Sequence, residues 1–333
     1  MHPASVSFRD LTTFRVGGDI ARYEHLDTLE DVCAFFGERD RAGDTLRVIG
    51  SGSNILASDD PFEGTVVSVG AQACHFESEG GTVRVVAEAG MLWDALVSEA
   101  VSRDLWGFEN LSAIPGTVGA SPIQNIGAYG SEVASTIEWV EVYDRVQKTR
   151  RTLPHTELKF GYRTSVFKQN SERYVVLRVA YRLNTRPAPN TSYKDVRAVF
   201  GDRTPTLGEL RETIIQIRAR KFPNLAEYGT AGSFFLNPVV DVTAAAALKV
   251  AYPELPQFPG VEGVKVSLAW MLDHVVHAKG MRVGGAFVWH EQPLVLATDH
   301  GATSSDVRAL ARMLTEKVFA LTNVAIVPEV TFW

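Results

Sequence analysis

The sequence predicts a mixed α+β protein of two or three domains, and three observations carry that expectation. The chain has 333 residues, 45% hydrophobic and 22% charged, enough to bury more than one core at roughly 100 to 200 residues per domain. Strand patterns and helical spacings are mixed along its length without an internal repeat. Two irregular glycine-rich stretches, residues 50–54 and 114–130, interrupt them.

Taken in order, residues 13–16 read as a short strand. An acidic-start helix follows through Asp27, Leu29, Val32, Phe35 and Phe36. Residues 46–49 form an apolar strand that runs straight into Gly50, Ser51, Gly52, Ser53 and Asn54. From 64 to 89 the residues alternate as paired strands do, with Gly80 and Gly81 at the turn. Leu92, Ala95, Leu96 and Ala100 have helical spacing, ending near Gly107. The stretch 114–130, IPGTVGASPIQNIGAYG, holds four glycines, two prolines and very little charge, and suits neither helix nor strand. Strands are expected at 137–143 and 174–183, the second alternating apolar residues with Arg178 and Arg182. Residues 187–205 read as a linker carrying Tyr193, and Leu210, Ile214 and Ile217 give helical spacing over 207–220. The C-terminal part mixes helices at 268–277 and 306–320, the latter capped by Ser304 or Ser305, with strands at 294–297 and 324–327.

Composition excludes several classes. The formal net charge is −6 and Lys and Arg are dispersed, whereas nucleic-acid binding needs a concentrated cationic face. An anionic ligand must therefore be met by a few local cations. The two cysteines, Cys33 and Cys74, cannot build a disulfide framework or a cysteine zinc site, and read as buried thiols. His274 and His277 share a helix face with no third ligand, and His290 beside Glu291 is no better placed, so no metal is expected. Residues 1–13 lack an apolar leader, and no apolar run reaches the roughly 20 residues of a membrane span. A reduced cytoplasmic setting without membrane attachment is the expectation.

Five segments could carry chemistry. Glycines after a strand let backbone approach a ligand, so residues 50–54 fit either a phosphate cradle or a plain tight turn. They are not a GxGxxG dinucleotide fingerprint. A second polar loop with Ser121, Gln124, Asn125, Gly127 and Tyr129 is costly to order without something to bind, and two such loops suit one long dinucleotide. In KFGYRTS, Arg163 offers a planar cation beside Tyr162, for a carboxylate or simply for ring packing. In GTAGSFFLNP, Ser233 has no histidine partner of the hydrolase kind, which leaves a structural turn or a proton-donating hydroxyl. Glu329 in VPEV is an isolated carboxyl that burial would turn into an acid.

Taken in order, GSGSNIL, IPGTVGASPIQNIGAYG, FGYRTSVFK, AGSFFLNP and the final PEV resemble the UDP-N-acetylenolpyruvoylglucosamine reductases, the MurB flavoenzymes, over nearly the whole chain. The resemblance is to the longer, type I members. It implies a vanillyl-alcohol-oxidase-type (PCMH) FAD-binding fold in two subdomains, 1–67 and 68–206, then an α+β substrate-binding domain, 207–333. Non-covalent FAD would lie along Gly50, Ser51, Gly52, Ser53 and Asn54, and along Ile114, Pro115, Gly116, Gly119, Ser121, Gln124, Asn125, Gly127 and Tyr129. Arg163 corresponds to the family's catalytic arginine, Ser233 to its proton donor and Glu329 to its catalytic glutamate. Tyr193 matches a substrate-clamping tyrosine, Lys221 a cation near the UDP phosphates and Asn237 a substrate-contacting amide. NADPH would be the co-substrate, the UDP-sugar enolpyruvate the substrate, and a monomer the working form. Thr331 departs from the pattern, since some type I members carry arginine there.

Overall fold

The computed structural model describes residues 6–38, 45–260 and 263–333. The first five of the residues read for a leader lie outside that set. The chain forms two compact units, neither a single stretch: one comprises 1–19, 52–62 and 219–333, the other 20–51 and 63–218. The chain passes from one to the other after Asp19, within the 50–54 loop, after Phe62 and after Arg218.

Among the described residues the second unit holds two larger sheets and the short antiparallel pair Gly127–Ala128 with Ser131–Glu132. Ile20–Leu26, Phe62–Val69 and Leu46–Ile49 form a three-stranded sheet in that spatial order. In the five-stranded sheet the order is Thr149–Pro154, Ile137–Asp144, Tyr174–Asn184, Thr82–Glu88 and Cys74–Glu79, all antiparallel. Period-2 alternation explains how this sheet divides its side chains. Val140 and Val142 join a core with Trp93, Phe108 and Tyr181, while Tyr143 joins a second core with Phe36 and Leu29 of the helix Leu29–Glu38. A third cluster packs Trp106 and Tyr129 against Val196, Phe200, Leu210, Ile214 and Ile217.

In the first unit, a four-stranded sheet runs in the order Gly229–Ser233, Val295–Thr298, Ala286–Val288 and Arg282–Val283. The helices Leu268–His274 and Ser304–Thr322 contribute Leu268, Met271, Leu310 and Leu314 to one core with Phe14, Phe234 and Phe235. A parallel pair, Ile55–Leu56 with Thr331–Phe332, fixes the C-terminus beside the segment after Asn54.

Several local expectations are corrected. Residues 13–16 are not a strand, because Thr13 and Phe14 use their carbonyls in single contacts, Thr13 O with Thr230 N–H at 2.9 Å and Phe14 O with Thr298 Oγ1 at 2.7 Å. Arg15 takes a left-handed φ of 56° there. The 187–205 linker contains a helix, Lys194–Phe200, made stable by burying Val196 and Phe200. Thr303, not Ser304 or Ser305, caps the last long helix, in a reciprocal box with Asp306. Residues 324–327 have no ladder partner along their length, although Val327 O accepts from Leu236 N–H at 3.0 Å. Cys33 and Cys74 are unpaired and half-buried, and burial pushes the Cys74 thiol up to about 11.

Candidate active site

Ser233 ends the strand Gly229–Ser233 opposite Val295, after a bulge that breaks register between Thr230 and Ser233. Bulges re-aim side chains, and this one lies directly before the serine. The next residues run antiparallel to the C-terminal segment: Phe234 O accepts from Glu329 N–H at 2.8 Å, and Leu236 N–H donates to Val327 O at 3.0 Å. The ladder sets Glu329 alongside the residue that follows Ser233. Asn54 closes the arrangement, its Nδ2 donating to Glu329 O at 3.3 Å and its own carbonyl accepting from Thr331 N–H at 2.9 Å. Ser233, Glu329 and Asn54 are thus brought together within the first unit, with both catalytic candidates half-buried.

Arg163 belongs to the second unit. It occupies the left-handed region at φ 55°, a strained choice for a non-glycine residue, in a turn closed by mutual bonds between Gly161 and Thr164. Its Nη2 donates to Gly127 O at 2.7 Å, and its Cζ lies 5.5 Å from the Tyr162 ring centroid. Strain at this position is held by that bond and by the Ser165 cap, whose Oγ accepts from Phe167 N–H at 3.1 Å. The second glycine-rich loop and the arginine are therefore one structure.

That loop is built by its own polar side chains. Asn125, at φ 50°, donates to Glu132 at 2.8 Å and to Gly161 O at 3.2 Å, and accepts from Ala134 N–H at 3.0 Å. Ser121 donates or accepts with the Tyr181 hydroxyl at 2.8 Å and reaches Val118 O at the same distance. Both side chains are spent inside the protein, so what they offer a ligand is a shaped backbone. Ile114 packs on the large core, Pro115 is exposed, and Gly116, Gly119 and Gln124 are half-buried. Tyr129 is buried and burial pushes its hydroxyl up to about 12, with Arg218 opposing that rise.

The first loop fits a pyrophosphate-bearing group. Gly52 has φ 60°, and a Cβ there would sit 2.1 Å from Leu11 O, so only glycine is accommodated. At Gly50 a Cβ would meet Thr117 Oγ1 at 2.8 Å. Ser51 Oγ is buried with no hydrogen-bond partner among the described residues. A buried hydroxyl left unpaired costs about 1–3 kcal/mol, and a phosphate oxygen from a bound ligand would satisfy it. These features suit FAD.

Other expected residues are more dispersed. Tyr193 is 41% exposed at the N-cap of Lys194–Phe200, its ring edge-on to Tyr129 at 5.3 Å. Lys221 is the last residue of the helix Leu207–Lys221 and lies in the first unit. Asn237 Oδ1 accepts from Leu268 N–H at 3.0 Å, which fixes the amide plane and commits its carbonyl. Sequence reasoning missed Arg218, whose Nε donates to Ala113 O at 3.1 Å and whose side chain bonds Tyr129. Burial lowers its guanidinium. The signal was an arginine next to Ile217 on the apolar side of a helix, a pattern that an amphipathic reading files as surface.

The profile of an FAD binding domain matches residues 20–152, beginning where the second unit begins. That of the UDP-N-acetylenolpyruvoylglucosamine reductase C-terminal domain matches 224–333. A Neisseria meningitidis serogroup A protein named UDP-N-acetylenolpyruvoylglucosamine reductase is 40% identical over 311 residues, 89% of this chain and 86% of the relative. The chain belongs to the UDP-N-acetylenolpyruvoylglucosamine reductase family. Members from Pseudomonas aeruginosa (41% identical, 85% of each chain) and Thermobifida fusca (36%, 98% of this chain and 96% of the relative) agree. The crystal structure of the MurB reductase from Thermus caldophilus superposes with a TM-score of 0.70 at 24% identity, covering 98% of this chain and 97% of that one. The reductase fold expected from the sequence, a flavin-binding α+β domain of the vanillyl-alcohol-oxidase type with an α+β C-terminal domain, is the fold of this chain.

Proposed function

We propose that Arg163, Ser233 and Glu329 carry the chemistry of an FAD-dependent, NADPH-driven reductase acting on UDP-N-acetylglucosamine enolpyruvate. The enzyme is a UDP-N-acetylmuramate dehydrogenase of peptidoglycan precursor synthesis, as its family membership states. FAD, held along residues 50–54 and the 114–130 loop, would supply the hydride chemistry that links NADPH to the terminal vinyl carbon of the enol ether.

The residues then have separate tasks. Hydride addition leaves negative charge on the carbon bearing the carboxylate, an enolate-like species. Arg163 pairs with that carboxylate through its planar fork and stabilises the charge as it spreads. Ser233 Oγ–H donates the proton that completes the saturated product, and Glu329 in its protonated form stabilises the same charge. A serine hydroxyl is a weak acid in water, so the half-buried setting of Ser233 supports the assignment. Tyr193, Lys221 and Asn237 hold the UDP-sugar. Gly50, Ser51, Gly52, Ser53 and Asn54 and the 114–130 loop hold the cofactor, with Thr331 in place of a further substrate cation.

By function, residues 1–67 and 68–206 act as the two cofactor subdomains and 207–333 as the substrate domain, while packing groups 1–19 and 52–62 with the C-terminal stretch. The enzyme works in the cytoplasm, where nucleotide sugars and NADPH are found, as a monomer. No helix among the described residues is long and apolar enough to cross a membrane.

The observation that carries the reading is the ladder that places Glu329 beside the Ser233 turn. Its test is spectroscopic. Purified protein should be yellow, anaerobic NADPH should bleach it, and the enolpyruvate substrate should restore the colour. Protein that takes up no flavin, or reduced protein that the substrate leaves bleached, contradicts it.

A further inference from the structure

Tyr193 presents a 41% exposed ring, yet the backbone on either side of it is fastened. Asn110, only 2% exposed in the turn Glu109–Leu111, uses both amide protons at once: Nδ2 donates to Tyr129 O at 2.9 Å and to Asn190 O at 2.9 Å. One side chain thereby joins the glycine-rich loop to the segment at Asn190. Asn190 repeats the join from the other side. Its Nδ2 donates to Gly130 O at 3.0 Å, while its Oδ1 accepts from Ser192 Oγ at 2.7 Å and Ser192 N–H at 3.2 Å. This Asx turn delivers the chain to Tyr193, whose ring meets Tyr129 edge-on at 5.3 Å. Behind it, Val196 and Phe200 anchor the helix in the cluster that contains Tyr129.

We propose that Asn190, held by Asn110, is a positioning residue that fixes the Tyr193 ring for the UDP-sugar and ties it to the loop ending at Gly130. The inference rests on Tyr193 being a substrate residue. An exposed aromatic ring that is ordered before the substrate arrives loses less freedom on binding, so the pair acts on substrate affinity and leaves hydride and proton transfer alone. The residues of the loop tip, Tyr129 to Ser131, are the shared support.

The test is a mutant cycle on the holoenzyme with Asn190→Ala, Tyr193→Ala and the double variant. Asn190 is partly exposed and its loss leaves the Asn110 bonds to backbone in place, so the fold survives. Asn190→Ala is expected to raise KM for the UDP-sugar about tenfold, with kcat and the rate of flavin reduction by NADPH within about twofold. In the Tyr193→Ala background it should add less than about twofold, because coupled residues are not additive. Asn190→Asp keeps the acceptor for Ser192 and loses the donor to Gly130, and should fall between. An unchanged KM for Asn190→Ala overturns the inference, as does an equal rise in both backgrounds or a parallel fall in kcat and flavin reduction. If Tyr193→Ala alone leaves KM unchanged, the substrate role of Tyr193 fails, and the positioning role falls with it.

Discussion

The backbone N–H of Glu329 donates to the carbonyl of Phe234 at 2.8 Å, so a glutamate four residues before the terminal Trp333 is locked beside a turn almost a hundred residues earlier. The bond uses main-chain atoms on both sides. Because the ladder does not depend on side-chain identity, Glu329→Gln should fold normally. It should slow reduction of the enolpyruvate by about 100-fold or more, the usual weight of a positioned acid, with flavin reduction by NADPH preserved. Stopped-flow absorbance of the two half-reactions separates these outcomes.

Arg163→Lys tests the fork. A lysine carries the charge but lacks the planar pair of donors and the Nη2 bond to Gly127 O. The expected result is a kcat for enolpyruvate reduction lower by about 100-fold, with a loss of stability of about 1 kcal/mol from the missing bond to Gly127 O. Retention of full activity would remove Arg163 from the mechanism.

Ser51→Ala distinguishes a cofactor contact from a structural hydroxyl. Ser51 Oγ is buried and has no partner among the described residues, so its loss should leave apoprotein stability unchanged or slightly higher. FAD should bind about five- to tenfold more weakly, the effect of one hydrogen bond. Titration of apoprotein followed by flavin fluorescence gives the dissociation constant.

Asp144 governs acid stability. Burial raises its carboxyl, but bonds from Arg173, Gln147 N–H and Arg151 outweigh that and hold it at about 2, below the usual 3.8. The folded value is depressed, so the contribution is complete above about pH 4 and is lost as pH falls through the folded value. Asp144→Asn should destabilise the protein at pH 7 by about 3 kcal/mol, because it strands two arginines beside a buried site. The gap between parent and variant in denaturation curves should close between about pH 4 and 2. A gap that stays constant over that range contradicts the assignment.

What was legible in the sequence was local. Alternation marked Thr82–Glu88 and Tyr174–Asn184, helical spacing marked Leu29–Glu38, Trp93–Ser102 and Leu207–Lys221, and the two glycine-rich loops stood out by composition. What was not legible depends on distant partners. Residues 13–16 look like a strand by residue type, yet Thr13 and Phe14 spend their carbonyls on Thr230 and Thr298. The helix Lys194–Phe200 hides in a proline-rich stretch because its stability comes from a cluster with Trp106 and Tyr129. Asn110 and Asn190 read as ordinary loop residues until the structure joins them. The candidate site residues come from motif order; their physical setting, such as the left-handed Arg163 or the committed carbonyl of Asn237, was visible only in the fold.

The central claim is that Ser233 supplies the proton to the substrate and takes no part in flavin reduction. Anaerobic rapid mixing of Ser233→Ala, first with NADPH and then, once bleached, with the enolpyruvate, measures each half separately. The account predicts bleaching at close to the parent rate, followed by reoxidation slower by several orders of magnitude. Reoxidation at the parent rate would contradict it.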